Sequence, residues 1–370
     1  MREPAPREPA PLYPVSRRHL EVLTDEVGIM QHAIGSRPNP AHGYCTDDVA
    51  RALQVDLLHG RELGWAGVAD SAWRNMRFLE EAFDVTVGVF RNFRRVDGSW
   101  HDGPGSEDCQ GRAMLALGEA IAEAPDGGMI ETAASLFAQA LPAAQELAAP
   151  RARASALLGC DAAMRSAPTE RTADTYRLLA GRLRSTFQSR PAQPWPWPES
   201  RLTYESALPV RALIVAGGYL GSRPMVDASL GLLHWLIAAQ TAPAGHLSPI
   251  GNGWWPRGGE KARFDQQPIE ATALLLAAES AYQLTGDGRY RTAVERAYAW
   301  FLGQNDLGLD VADPERGASC DGLTPRGVNT NQGAESTLMW LIALEHVRAI
   351  RDGRPSAPPS TDYVLVTSTR

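Results

Sequence analysis

The residues able to do chemistry in this 370-residue chain are carboxylates that recur at matching positions. In CTDDVARALQVDLL, Asp47 and Asp48 follow Thr46 and precede the helical apolar run Val49, Ala52, Leu53, Leu57. Thr46 is placed to cap that helix, and acids in a first turn suit the positive end of the helix dipole. The plan repeats. Asp108 precedes GRAMLALGEAI, Glu205 precedes SALPVRALIVAG, Asp265 precedes QQPIEATALLLAA, and Glu335 precedes STLMWLIAL. Two carboxylates facing across a cleft can cleave a glycosidic bond. One, kept protonated by burial, donates to the leaving oxygen, while the other activates water or attacks the sugar. The candidates are Asp47, Asp48, Glu107, Asp108, Glu205, Asp265, Glu270 and Glu335. Any single acid can instead cap a helix or hold a hydroxyl. That explanation is weaker for the whole set, because the repeats did not all need acids at this end.

Aromatic and amide groups accompany the acids. Tyr44, Trp100, His101, Tyr204, Trp254 and Trp255 sit in or beside long loops, with Gln266, Gln267 and Asn331 further on. Sugar C–H faces stack on rings, and hydroxyls need dense directional hydrogen bonding. Trp254-Trp255 in a Gly/Pro-rich loop is hard to read as core filling, because adjacent side chains rarely both face inward. Arg51, Arg112 and Arg211 lie a turn or so into their helices, where they can pair with acids or touch a substrate.

Other chemistries lack their signatures. There is no GxSxG elbow, no HExxH and no Gly-rich phosphate loop after a strand. Cys45, Cys109, Cys160 and Cys320 form no metal-ligand spacing and are expected as reduced thiols. His42, His101 and His246 are the histidines nearest the acidic segments, and loop hydrogen bonding accounts for each. No metal or other cofactor is expected. A formal charge of −7 without a basic patch argues against nucleic acid, and no apolar run reaches the roughly 18 residues of a membrane span. The N-terminus has no signal-peptide core, so a cytoplasmic location is expected.

The elements that must position these acids alternate along the chain. Amphipathic helices are expected over 16–33, 68–83, 128–148, 171–187, 224–240 and 290–302. Each is followed by a more apolar one starting near residues 47, 108, 152, 205, 265 and 334. The third departs from the acidic rule, offering Arg151 and Arg153. The segment from Val87 to Asp108 reads as a short hairpin or irregular loop. A helix as apolar as the second member of each pair must be surrounded by protein. Six such hairpins, apolar helices inside, close into an all-α (α/α)6 barrel over residues 16–352, with every inner N-terminus at one mouth. Pro-rich residues 1–15 and the tail 353–370 are expected to be disordered.

GYCTDDVARAL, SEDCQGRAMLALG, FDQQPIEATALL, WFLGQND, CDGL and NTNQGAESTL together resemble a bacterial family of six-hairpin glycosidase-like proteins. The resemblance spans roughly residues 16–350. It implies a domain that stands alone or beside glycosyltransferases, and a superfamily of inverting glycoside hydrolases, unsaturated-uronyl hydrolases and sugar 2-epimerases. Those classes use two carboxylates, an acid/base Asp and paired histidines respectively. Inner-helix starts bearing acids and no histidine disfavour the epimerase class. The DD, ED, YES, FDQQPxE and NQGAES positions are inherited as cleft residues.

The resulting expectation is an inverting glycoside hydrolase acting on a bacterial oligo- or polysaccharide. Asp48, Asp108 and Asp265 are the leading acid/base candidates, with Glu205 and Glu335 next. Substrate binding falls to Asp47, Tyr44, Trp100, His101, Glu107, Arg112, Tyr204, Trp254, Trp255, Gln266, Gln267, Glu270 and Asn331. The alternatives are a non-catalytic glycan-binding domain partnering a glycosyltransferase, and a sugar epimerase or lyase. A loop histidine facing the acids would strengthen the last.

Overall fold

The computed structural model describes residues 9–101, 103, 105–187 and 194–354. Helices come in six consecutive pairs: α1 (Arg18–Leu23) and α2 (Thr46–Leu63), α3 (Ala69–Ala82) and α4 (Glu107–Glu123), α5 (Gly127–Gln145) and α6 (Pro150–Ser166), α7 (Glu170–Thr186) and α8 (Leu208–Tyr219), α9 (Arg223–Ala239) and α10 (Pro268–Thr285), α11 (Gly288–Phe301) and α12 (Ala334–Arg351). The second members contact one another in sequence, and α12 returns to α2, closing the ring. The fold is an (α/α)6 barrel. Small, apolar inner helices make this possible. In α4, for example, every residue from Cys109 to Gly118 is buried, as expected of a helix walled in on all sides.

The inner helices are not evenly spaced. A Cβ added to Gly118 would lie 2.1 Å from the Gly159 carbonyl oxygen, and one on Gly159 would lie 2.3 Å from that of Met114. The backbones of α4 and α6 therefore touch directly, which only residues without side chains allow. No such glycine pairing draws α12 and α2 together.

Several helix boundaries differ from the sequence expectation. The first helix stops at Leu23, not Ala33. The Asp25 carboxylate accepts from the Val27 and Gly28 amides, turning the chain, and Met30 N donates back to Leu23 O. The freed segment 29–45 runs to the mouth. Thr46 is the first residue of α2 and not its cap. Cys45 holds the cap position, and the Thr46 hydroxyl donates to Arg91 O at 2.6 Å. α8 and α10 begin three residues after Glu205 and Asp265, each with proline at N1 or N2.

The 87–108 segment contains short strands: Val89–Phe90 pairs with Phe83–Asp84, and Phe93–Arg94 with Tyr44–Cys45. Asp56, wholly buried, accepts from Arg17, Ser71 and Asn75 and ties α1, α2 and α3. Of the N-terminal lead, residues 1–8 lie outside the described residues. Ala10 is buried, and the Tyr298 hydroxyl donates to Pro11 O. The tail from residue 355 lies outside them too. No helix among the described residues is long and apolar enough to cross a membrane.

Candidate functional site

The N-terminal ends of α2, α10 and α12 open onto a cavity of about 470 Å³, set to one side of the barrel axis. Its walls come from the start of α2 (Asp47, Asp48, Arg51), the loop into α10 (Asn252, Asp265, Gln266, Gln267) and the segment into α12 (Asp321, Asn329, Glu335). The 29–45 segment adds Gln31 and His32. Five carboxylates and one guanidinium thus share the space.

Asp48 sits at the protein-facing wall with its side chain 4% exposed. Its Oδ1 accepts from Arg51 Nη1 at 3.0 Å, and Arg51 Nη2 lies 3.0 Å from Glu335 Oε2. Burial outweighs the guanidinium and pushes the Asp48 carboxyl up to about 7. Asp265 is its opposite. It is exposed, and its carboxylate has no hydrogen-bond or ion-pair partner among the described residues. Its backbone takes φ +59°, a conformation that costs a non-glycine residue about 1–3 kcal/mol.

The flanking structure imposes that conformation. Gln266 exchanges two backbone hydrogen bonds with Leu323, and its buried amide is fixed by Arg263 O, Asp306 and the Trp300 indole. Gly322 crosses so closely that a Cβ there would meet Gln266 O at 1.9 Å. Among the described residues only Glu205, Trp254 and Asp265 are non-glycine residues with positive φ, and all three are at this mouth.

The remaining acids are tied elsewhere. Asp47, though at the cavity, shares Arg112 with Glu205, at 2.8 and 2.7 Å. Asp108 accepts from the Tyr204 hydroxyl at 2.5 Å, and Glu107 accepts from the Ala148 and Ala149 amides. Glu270, 4% exposed, accepts from Glu205 N and the Ser206 hydroxyl, and burial raises its carboxyl to about 7. Arg151 fills the acid's place in the third repeat, lying over the Tyr204 ring and donating to Tyr204 O and Thr203. None of Glu107, Asp108, Arg112, Tyr204, Glu205 and Glu270 lines the 470 Å³ cavity.

The aromatic candidates also stand off from it. Tyr44 is buried, with its hydroxyl on Asp25, and Trp100 packs edge-on to Phe78. His101 lies beside Phe93, the one aromatic side chain apart from His32 at the cavity. Trp255 stacks on Trp235 at 5.8 Å, while Trp254 turns the other way over Arg201. Asn331 caps the Gly35 amide.

His32, Asp321, Asn252 and Asn329 are cavity residues that the sequence reading passed over. His32 was hidden in the expected first helix. Asp321 and Asn329 lie within or beside the CDGL and NTNQGAESTL segments, a signal that was present but not assigned to them. Burial, with His42 at its edge, keeps the His32 imidazole below its ordinary value, against the pull of Asp321 and Glu335. Burial raises Asp321, whose Oδ1 accepts from Gly333 N. The Cys45 thiol, also at the cavity, is pushed well up by burial and is a poor nucleophile. Among the described residues no group of three or more His, Cys, Asp or Glu is arranged to hold a metal ion.

No protein-family model and no curated protein sequence matches this chain. Solved structures do. Cellobiose 2-epimerase from Spirochaeta thermophila superposes with a TM-score of 0.68 at 15% identity, covering 89% of this chain and 92% of that one. A D-mannose isomerase gives 0.67 at 13% identity, covering 90% and 94%. A family 76 α-mannanase from Bacteroides thetaiotaomicron gives 0.64 at 9% identity, covering 91% and 95%. At such identities the likeness carries the fold: this chain has the (α/α)6 barrel seen in those sugar epimerases, isomerases and glycoside hydrolases.

Proposed function

We propose that this protein is a carbohydrate-active enzyme that hydrolyses a glycosidic bond in the off-axis cavity. The observation that carries the reading is the contrast of two carboxyls in one space: Asp48, buried and raised to about 7, and Asp265, exposed and unpaired. A carboxyl held protonated by burial can act as the acid, and an exposed, unpaired carboxylate in the same space as the base. Asp48 donates its proton to the glycosidic oxygen as the bond to the anomeric carbon breaks. Asp265 takes a proton from water, whose oxygen bonds to that carbon with inversion. Arg51 holds Asp48 in place, and Gln267, Asn252 and Asn329 supply hydroxyl partners.

A second reading, epimerisation or isomerisation of a free sugar, is favoured by one feature. His32 faces the same space as Asp321 and Glu335, and a neutral imidazole is suited to take a proton from a carbon beside a carbonyl. Oligosaccharides and free aldoses separate the two. The hydrolytic reading expects new reducing ends, lost in Asp48→Asn and Asp265→Asn. Interconversion of free sugars, lost in His32→Ala and retained in Asp265→Asn, would replace it. A third possibility, a glycan-binding domain beside a glycosyltransferase, predicts saturable binding without turnover of any kind.

A further inference from the structure

The charge of the cavity restricts what can occupy it. Its lining holds Asp47, Asp48, Asp265, Asp321 and Glu335 against the single guanidinium of Arg51, and that guanidinium is already divided between Asp48 and Glu335. No lysine lines the cavity, and burial lowers the His32 imidazole from its ordinary value. Arg112 compensates Asp47. Protonation removes the charge of Asp48. Asp265, Asp321 and Glu335 are left with one cation among them, Arg51, which lies against Glu335. The Asp48 side chain, 4% exposed, turns toward this space an Oδ2 that accepts no hydrogen bond among the described residues. Such a wall repels a second carboxylate or a phosphate and attracts an ammonium.

We infer that the sugar bound here carries a protonated amine, a hexosamine with a free amino group, and that uronic acids and sugar phosphates are rejected. The inference rests on the cavity being the sugar site, and it deepens that reading by naming the substrate class. The ammonium is held between Asp321 and Glu335, whose carboxylate oxygens accept from its N–H groups. The pyranose ring lies toward Phe93, and its hydroxyls meet Gln267, Asn252 and Asn329.

The test uses the full chain and matched trios of monosaccharides: glucose, glucosamine and glucuronate, then the galactose and mannose counterparts. Binding is read by ligand-observed NMR at slightly acid pH and low salt. The amino sugar of at least one trio is expected to bind about tenfold more tightly than its neutral partner, with the uronate unbound. The preference should shrink as salt is added. Asp321→Asn should narrow it. A neutral sugar that binds as well as its amine in every trio, an amino sugar that does not bind, or a uronate that leads any trio would overturn the inference. Amine-selective binding without cleavage would sink the hydrolytic reading and leave this one standing. Cleavage without amine preference would do the reverse.

Discussion

The two sides of the barrel mouth carry the same residue types and use them differently. Around α4, α6 and α8 every acid is bound to a protein group: Asp108 to Tyr204, Glu107 to two loop amides, Glu205 to Arg112. Glycines draw α4 and α6 into backbone contact, and Asp108 and Glu107 line no part of the 470 Å³ cavity. Around α12, α2 and α10 the helices stand apart, a cavity of about 470 Å³ opens, and its acids are buried without full compensation or left unpaired. The lesson is that an acid at a helix start is not a site by type or position. What distinguishes the two sides is the space that helix packing leaves beside the acid, and whether an arginine, tyrosine or amide has already claimed it.

The largest expected effect tests that division directly. Asp48→Asn and Asp265→Asn should each lower turnover at least about a hundredfold, the scale of a lost general acid or base. Asp108→Asn and Glu107→Gln, on the closed side, should stay within about tenfold of the parent. Rates measured on one substrate for all four variants decide the matter. A closed-side variant that loses as much as Asp48→Asn would erase the distinction.

Next in size is a packing change. Gly118→Val places a branched side chain where even a Cβ meets Gly159 O at 2.1 Å, so α4 and α6 must separate. Overpacking of this kind costs at least about 1–3 kcal/mol. A thermal melt should show a clear loss for Gly118→Val and a smaller one for Gly118→Ala. A tolerated valine would mean that the α4–α6 contact does not close this side.

The third effect is a pH dependence confined to the open side. Folding raises the Asp48 carboxyl from its ordinary value near 4 to about 7, so the folded state binds its proton more tightly than the unfolded chain does. Its stability contribution is therefore greatest at low pH and declines as pH rises from about 4 through about 7. Asp48→Asn abolishes it, while Glu270, raised in the same direction, is present in both proteins and cancels. The melting temperature of the parent minus that of the variant should increase as pH falls from about 8 to about 4. A flat difference would mean that Asp48 is ionised in the folded protein, and the proton donor would have to be another group. Turnover should fall on the alkaline side as the same proton is lost.

The barrel itself was legible, because apolar periodicity reports burial and the second helix of each pair is apolar on every face. Asp48 and Asp265 were legible as candidates for the same reason: they mark where each such helix begins. Which acids stay free was not legible. Arg112 lies in α4 yet reaches Asp47 and Glu205 from two other repeats, a pairing across 65 and 93 residues of chain that no local pattern records. His32 was lost because Leu20, Leu23, Val27 and Met30 keep helical spacing, while the Asp25 carboxylate breaks the helix by binding the amides two and three residues on. Nor does residue type show backbone strain. Glu205, Trp254 and Asp265 are ordinary letters until φ is known.

The smallest expected effect is the most discriminating for the closed side. Tyr204→Phe deletes one hydroxyl, the partner of Asp108 at 2.5 Å, and keeps the ring over Arg151. Tyr204 is 37% exposed, so water can replace the lost donor, and the cost in stability should be about 1 kcal/mol or less. If Asp108 only anchors α4 to the turn before α8, freeing its carboxylate changes nothing at the cavity, and turnover should remain within about twofold. If Asp108 takes part in the chemistry, the Tyr204 hydrogen bond holds it in its working state. The same deletion would then shift the pH–rate profile and lower turnover severalfold with little change in melting temperature. The rate holds under the first account and falls under the second at a similarly small cost in stability, so one conservative substitution separates an acid that positions a helix from one that handles a proton.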